Sequence, residues 1–135
     1  LPKITDGQFI LLTADTIVLL NGEIIGKPKD LKEAKQILQK LSGQTHQVIS
    51  GVSISTPNAN SSFSETAYVT FKTLTEQEID FYLKNYTVLD KAGAYAIQEW
   101  IGLIGITKIE GSYFNVMGLP IHAVYKTLND MVLSS

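Results

Sequence analysis

The sequence predicts an α/β fold, a mixed, twisted β-sheet with helices packed against it, and three observations carry that expectation. Apolar runs rich in β-branched residues alternate with stretches of helical periodicity along all 135 residues. Two strand-like runs, Thr45–Ser55 and the stretch around Ala67–Phe71, flank a hairpin-length polar loop, which argues against a purely parallel sheet. Two helix starts are written in capping chemistry, Asp30 with Glu33 and Thr75 with Glu78.

In chain order, Phe9–Leu12 and Ile17–Leu20 are apolar β-formers on either side of Ala14-Asp15-Thr16, so a carboxylate interrupts what otherwise reads as buried strand. Asn21-Gly22 is a tight-turn signal, and Glu23–Gly26 returns as a short strand ending at Lys27-Pro28. A helix follows with Leu31, Ala34, Ile37, Leu38 and Leu41 on one face, closed by Gly43. Thr45–Ser55 is the next strand and carries His46, and Thr56–Ser64 reads as a loop. Ala67, Val69 and Phe71 then alternate with Tyr68, Thr70 and Lys72. The second helix runs to Lys84, with Leu74 and Ile79 as a hydrophobic staple and Asn85 as a left-handed stop. Trp100–Ile109 is an apolar, strand-like run, and Pro120 opens a last helix whose face is Ile121, Val124, Tyr125, Leu128 and Met131.

Composition narrows the chemistry. No cysteine is present, which removes disulfides, thiolate catalysis and Cys-ligated zinc. Eleven basic residues against thirteen acidic ones leave no electrostatic footprint for nucleic acid. The apolar stretches are too short to cross a bilayer, so the expectation is a soluble, cytoplasmic chain with no membrane partner.

Burying a lone carboxylate is costly, so Asp15 within apolar sequence calls for a partner, a metal or a task. The hairpin after it returns Lys27 toward the same level, and an acid beside a base suits a cation and a phosphate. The bland alternative is an Asp that bonds its own backbone and a Lys-Pro that closes a loop. Two glycine-punctuated segments resist assignment to helix or strand. Asp90-Lys91-Ala92-Gly93-Ala94-Tyr95 sets an acid and a base among small residues that let a ligand approach the backbone. Gly111–Val116 places Ser112 and Asn115 as hydroxyl and amide donors before a helix start that favours anions. Each segment alone also has the composition of an ordinary turn. Neither is a Walker A or G-x-G-x-x-G loop. His46 and His122 share no ligand spacing and read as structural.

Taken together, these pieces resemble the Maf family of nucleoside triphosphate pyrophosphatases. The matching segments are ADT at 14–16, GKP at 26–28, LSGQTHQVISG at 41–51, DKAGAYAIQ at 90–98 and IEGSYFNVMGLP at 109–120, in the family's order and nearly end to end. The resemblance implies a two-lobed Maf/ITPase-like domain with a central cleft, and metal-dependent hydrolysis of a nucleoside triphosphate to the monophosphate and pyrophosphate with Mg²⁺ or Mn²⁺. Asp15 matches the family's catalytic proton acceptor and possible metal contact. Thr16 and Gln98 match the positions separating the dTTP/UTP branch from the 7-methyl-GTP branch, and they look like the former. Lys27 and Lys91 look like phosphate-facing charges, with Asp90 and Glu110 as candidate helpers.

The resemblance also implies a homodimer. It leaves one segment unmatched: family members begin with a strand leading to Ser-x-Ser-x-Arg-Arg, whereas this sequence has no arginine. Residues 1–135 are accordingly expected to form a single Maf-like domain without that strand, loop and helix. A non-catalytic nucleotide-binding dimer linked to septum formation is the alternative function.

Overall fold

The computed structural model describes residues 9–134. Five strands form one sheet in the order β2-β1-β3-β4-β5, where β1 is Leu11–Leu20, β2 Glu23–Ile25, β3 Thr45–Ser55, β4 Asn60–Phe71 and β5 Ile106–Glu110. Five helices accompany them: α1 (Leu31–Leu41), α2 (Glu76–Asn85), α3 (Trp100–Gly105), α4 (Tyr113–Met117) and α5 (Ile121–Ser134). A 3₁₀ turn occupies Ala92–Ala94. The expected α/β architecture, a sheet with flanking helices, is present, and each of its described pairings is antiparallel.

The strands form where β-branched side chains alternate with polar ones. Val18 and Leu20 of β1, Val48 and Val52 of β3, and Ala67, Val69 and Phe71 of β4 are buried on one face, because successive side chains of a strand point to opposite sides. Helices cover this face in two groups. The first packs Ala34, Ile37, Leu38 and Leu41 of α1, Ile79 and Tyr82 of α2 and Ile101 of α3 into the main core. The second is α4, which lies over the middle of β3 and β4, held by Asn115. A cleft opens between the two groups.

Local signals account for most boundaries. Asn21 and Gly22 both take positive φ, as a tight hairpin turn requires, and Gly43 does so after α1. The Thr75/Glu78 capping box is complete, with both reciprocal bonds made. At α1 only half forms: Asp30 accepts from the Glu33 N–H at 2.8 Å, while the Glu33 carboxylate turns to the Lys29 N–H.

Four boundaries differ from the expectation. The loop Thr56–Ser64 shrinks to residues 56–59, because β4 begins at Asn60 and its serines continue the ladder with β3. Trp100–Ile109 is a helix followed by a strand, since Gly102 and Gly105 let α3 approach neighbouring backbone and side chains closely. Asn85 ends α2 without left-handed backbone, donating instead from Nδ2 to the Phe81 carbonyl. Residues 113–117 form a short helix, whereas the sequence of this glycine-punctuated segment suggests neither helix nor strand. Among the described residues no helix is long and apolar enough to cross a membrane.

Candidate active site

The cleft has a volume of about 340 Å³, within the usual range for a small-molecule site. Its floor is sheet, with Thr16 and Val18 from β1 and Val48 from β3. One wall is the segment Asp90–Gln98, and the other is the C-terminal end of α4, Val116–Gly118. Lys27 closes one side.

Local backbone chemistry brings these parts together. The pairing of β2 with β1 ends at Ile25 opposite Val18, and buried Pro28 prevents the strand from running on. Lys27 therefore lies two residues past the last pair, and it borders the same cleft as Thr16. The Gly93 N–H donates to the Gly26 carbonyl at 3.3 Å, tying the 90s segment to the end of β2. Gly93 has φ of 75°, and a Cβ there would stand 3.2 Å from Val18, so glycine lets this segment lie directly on β1.

Asp15 is not buried strand interior. It is exposed in the open half of a continuous ten-residue β1, and its side chain leaves the face opposite to that of Thr16 and Val18. The carboxylate curls back so that Oδ1 accepts from the Thr16 N–H at 3.0 Å, which is the local backbone bond the bland reading anticipated. It nonetheless borders the cleft. Thr16 faces inward, its hydroxyl 2.9 Å from Ser50 Oγ and donating to the Gly118 carbonyl at 3.3 Å.

On the far wall, Lys91 Nζ donates to the Thr87 carbonyl and lies 3.3 Å from Asp90 Oδ1. Two acidic residues, Asp15 and Asp90, and two lysines, Lys27 and Lys91, thus border one cavity. Beyond them sits Gln98, exposed at the rim. Of the nine candidate residues, Asp15, Thr16, Lys27, Asp90, Lys91 and Gln98 converge here.

Ser112 and Asn115 do not line the cleft. Ser112 caps α4, accepting from the Asn115 N–H at 3.3 Å. Asn115 is completely buried, and its Nδ2 donates to the carbonyls of Val48 at 3.2 Å and Glu65 at 3.1 Å. Both fix the wall from behind. Glu110 pairs with Lys108 on β5, away from the cavity. His122 is exposed on α5, whereas His46 is buried and bonded to Tyr95.

Sequence reasoning missed Tyr95, Met117 and Gly118 as lining residues. Gly118 carries a signal: it is the left-handed cap of α4, two residues before a proline, which marks a helix end in the sequence but not what that end faces. No group of three or more potential metal-ligating side chains occurs among the described residues. Asp15 and Asp90 are the acidic residues bordering the cleft, and one or two carboxylates together with substrate phosphates are enough to hold a divalent cation.

Comparison with known proteins covers nearly the whole chain. Residues 2–131 match the family model described as Maf-like protein. A dTTP/UTP pyrophosphatase of Christiangramia forsetii is 54% identical over 125 residues, covering 93% of this chain and 64% of the relative. Proteins with the same name from Porphyromonas gingivalis and Phocaeicola vulgatus are each 53% identical, over 90% of this chain and 61% and 63% of their own lengths. The chain therefore spans about three fifths of the length of the curated relatives it matches. With a family match running over residues 2–131, almost the whole length of the sequence, the chain belongs to the Maf-like protein family.

Proposed function

We propose that this chain is a nucleoside triphosphate pyrophosphatase of the dTTP/UTP type, releasing the monophosphate and pyrophosphate. The observation that carries the reading is the convergence of Asp15, Thr16, Lys27, Lys91 and Gln98, drawn from three distant stretches of sequence, in one 340 Å³ cavity. The names of the relatives supply the reaction, and the arrangement of charge supplies a chemical reason for it.

A triphosphate lies in this cleft with its phosphates between Lys27 and Lys91 and its base toward Gln98 and Thr16. Gln98 offers one donor group and one acceptor, which suits a pyrimidine edge. Water attacks the α-phosphorus in line, the bond from that phosphorus to the bridging oxygen breaks, and pyrophosphate leaves. Asp15 takes the proton of the attacking water. Its Oδ1 is occupied by the Thr16 N–H, so Oδ2 is the oxygen assigned to the proton. The ammonium groups of Lys27 and Lys91 hold the departing pyrophosphate. A divalent cation, Mg²⁺ or Mn²⁺, held by Asp15 and Asp90 with substrate oxygens, would supply charge neutralisation at the phosphates.

Pyrophosphate release from dTTP, UTP and 7-methyl-GTP, with Mn²⁺ or Mg²⁺, tests the proposal. Turnover of dTTP and UTP, reduced by about 10²–10⁴-fold in Asp15→Asn, is the expected result. Metal-dependent turnover of none of the three by the wild-type chain would end it. Preference for 7-methyl-GTP would overturn the roles given to Thr16 and Gln98.

A further inference from the structure

Gln98 sits at the third position of a turn, Ala96-Ile97-Gln98-Glu99, closed by a bond from the Glu99 N–H to the Ala96 carbonyl at 3.1 Å. Ile97 is buried in the core while Gln98 is exposed at the rim of the cleft, so the turn sends adjacent side chains in opposite directions. One hydroxyl group spans both ends of this turn. Tyr82 Oη on α2 accepts from the Ala96 N–H at 3.2 Å and donates to Glu99 Oε1 at 2.5 Å. On the next side, the Gly102 N–H donates to the Glu99 carbonyl at 2.9 Å, and a Cβ at Gly102 would collide with the Ile97 carbonyl.

We infer that Tyr82 is a positioning residue for Gln98, fixing the turn from beneath so that the amide meets the base at a set angle. The inference rests on the proposed reading of Gln98 as the residue facing the base. Tyr82 itself is fully buried and does not line the cleft, so its influence passes through the Ala96 N–H and the Glu99 carboxylate at the two ends of the turn. Stacking on Tyr86, with ring centroids 4.9 Å apart, holds the phenol in place. Burial, together with the hydrogen bond to the Glu99 carboxylate, pushes the phenol's pKa far above its ordinary value, so it remains a donor at every working pH. An amide reads donor and acceptor groups only when its plane is fixed, and small losses of alignment are expensive in recognition.

The test compares two ligands by calorimetry: a UTP analogue with a non-hydrolysable α,β-imido bridge, and inorganic tripolyphosphate, which has no base. Tyr82→Phe removes one hydroxyl and keeps the ring. It is expected to weaken the UTP analogue about tenfold while changing tripolyphosphate by less than about twofold, and in a Gln98→Ala background to add less than about twofold. Glu99→Ala, at a partly exposed position, removes the other end of the bridge and is expected to shift binding the same way by a smaller factor. Thermal melting of each variant verifies that it is folded. Equal weakening of both ligands, or an undiminished Tyr82→Phe effect without the Gln98 amide, would overturn the positioning role alone. A wild-type chain that binds the analogue no more tightly than tripolyphosphate would remove the reading of Gln98 and this inference with it.

Discussion

His46 Nε2 lies 2.6 Å from Tyr95 Oη, a buried bond joining the middle strand of the sheet to the segment that forms the cleft wall. The imidazole stacks on Phe71 with centroids 5.7 Å apart, and its Nδ1 has no partner. Burial lowers the pKa of His46 from the ordinary 6.5 to about 4, because a charged ring there loses its hydration without gaining a counter-charge. The unfolded chain binds that proton more readily than the folded one. Its contribution to stability is therefore present in full above about pH 6.5 and is lost as pH falls toward 4. The loss amounts to about 3 kcal/mol over that window. Urea unfolding at pH 7, 6, 5 and 4.5 should show a decline that is clearly shallower in His46→Gln. Parallel pH profiles for the two proteins would refute this account.

Gly102 is expected to be irreplaceable. A Cβ at this position would lie 1.8 Å from the Ile97 carbonyl oxygen, and that contact is backbone, so no rotamer change relieves it. Gly102→Ala must either push α3 off the core or open the turn at residues 96–99, at a cost of about 3 kcal/mol or more. Ile101 is fully buried, so displacing α3 also disturbs the core. A midpoint of thermal unfolding within a degree or two of wild type would contradict this geometry.

The sequence made the supports of the site easier to read than its geometry. Asn21-Gly22, Gly43 and the Thr75/Glu78 box act through backbone chemistry within a few residues, so their roles are visible locally. The same holds for the helix faces that form the core. Trp100–Ile109 misleads because a short, largely apolar run has no period, and the close approaches of Gly102 to Ile97 and of Gly105 to Phe71 and Leu74 bear on where helix gives way to strand. Ser112 and Asn115 mislead for a related reason: polar groups beside a glycine look alike whether they face a ligand or clamp a carbonyl. The direction of Asn115 is decided by Val48 and Glu65, 67 and 50 residues away in sequence. Asp15 stands out for its apolar flanks, yet of these only Ile17–Leu20 enters the core, while Leu11 and Leu12 are exposed, and Asp15 reaches the edge of the cleft through its register beside Thr16.

Gly93 and Ala94 make a matched pair of substitutions, since both have positive φ, at 75° and 62°. At Gly93 an added methyl meets strained backbone and Val18 at 3.2 Å, so Gly93→Ala should destabilise by about 2 kcal/mol. At Ala94 the strain is already present, and Ala94→Gly relieves about 1 kcal/mol while giving up a buried methyl group of similar worth. That second change should leave stability within about 1 kcal/mol of wild type. Chemical denaturation of the two variants side by side checks the contrast. Equal losses would mean that the left-handed backbone here carries no strain.

Asn115 and Lys27 separate support from chemistry on opposite sides of the cavity. Asn115→Ala leaves the Val48 and Glu65 carbonyls without their donor in a fully buried site, and should lower stability by about 2–3 kcal/mol. Because α4 is only five residues long and is pinned through this amide, the wall carrying Met117 and Gly118 should loosen as well, visible as faster amide exchange in residues 113–118. Lys27 is exposed and lines the cleft, so Lys27→Ala should leave the unfolding midpoint within about 0.5 kcal/mol of wild type. Its effect should fall instead on triphosphate binding, with inorganic tripolyphosphate and UTP weakened by the same factor because the lysine meets only what they share. A large fall in the stability of Lys27→Ala, or weakening confined to UTP, would place this lysine elsewhere than on the phosphates.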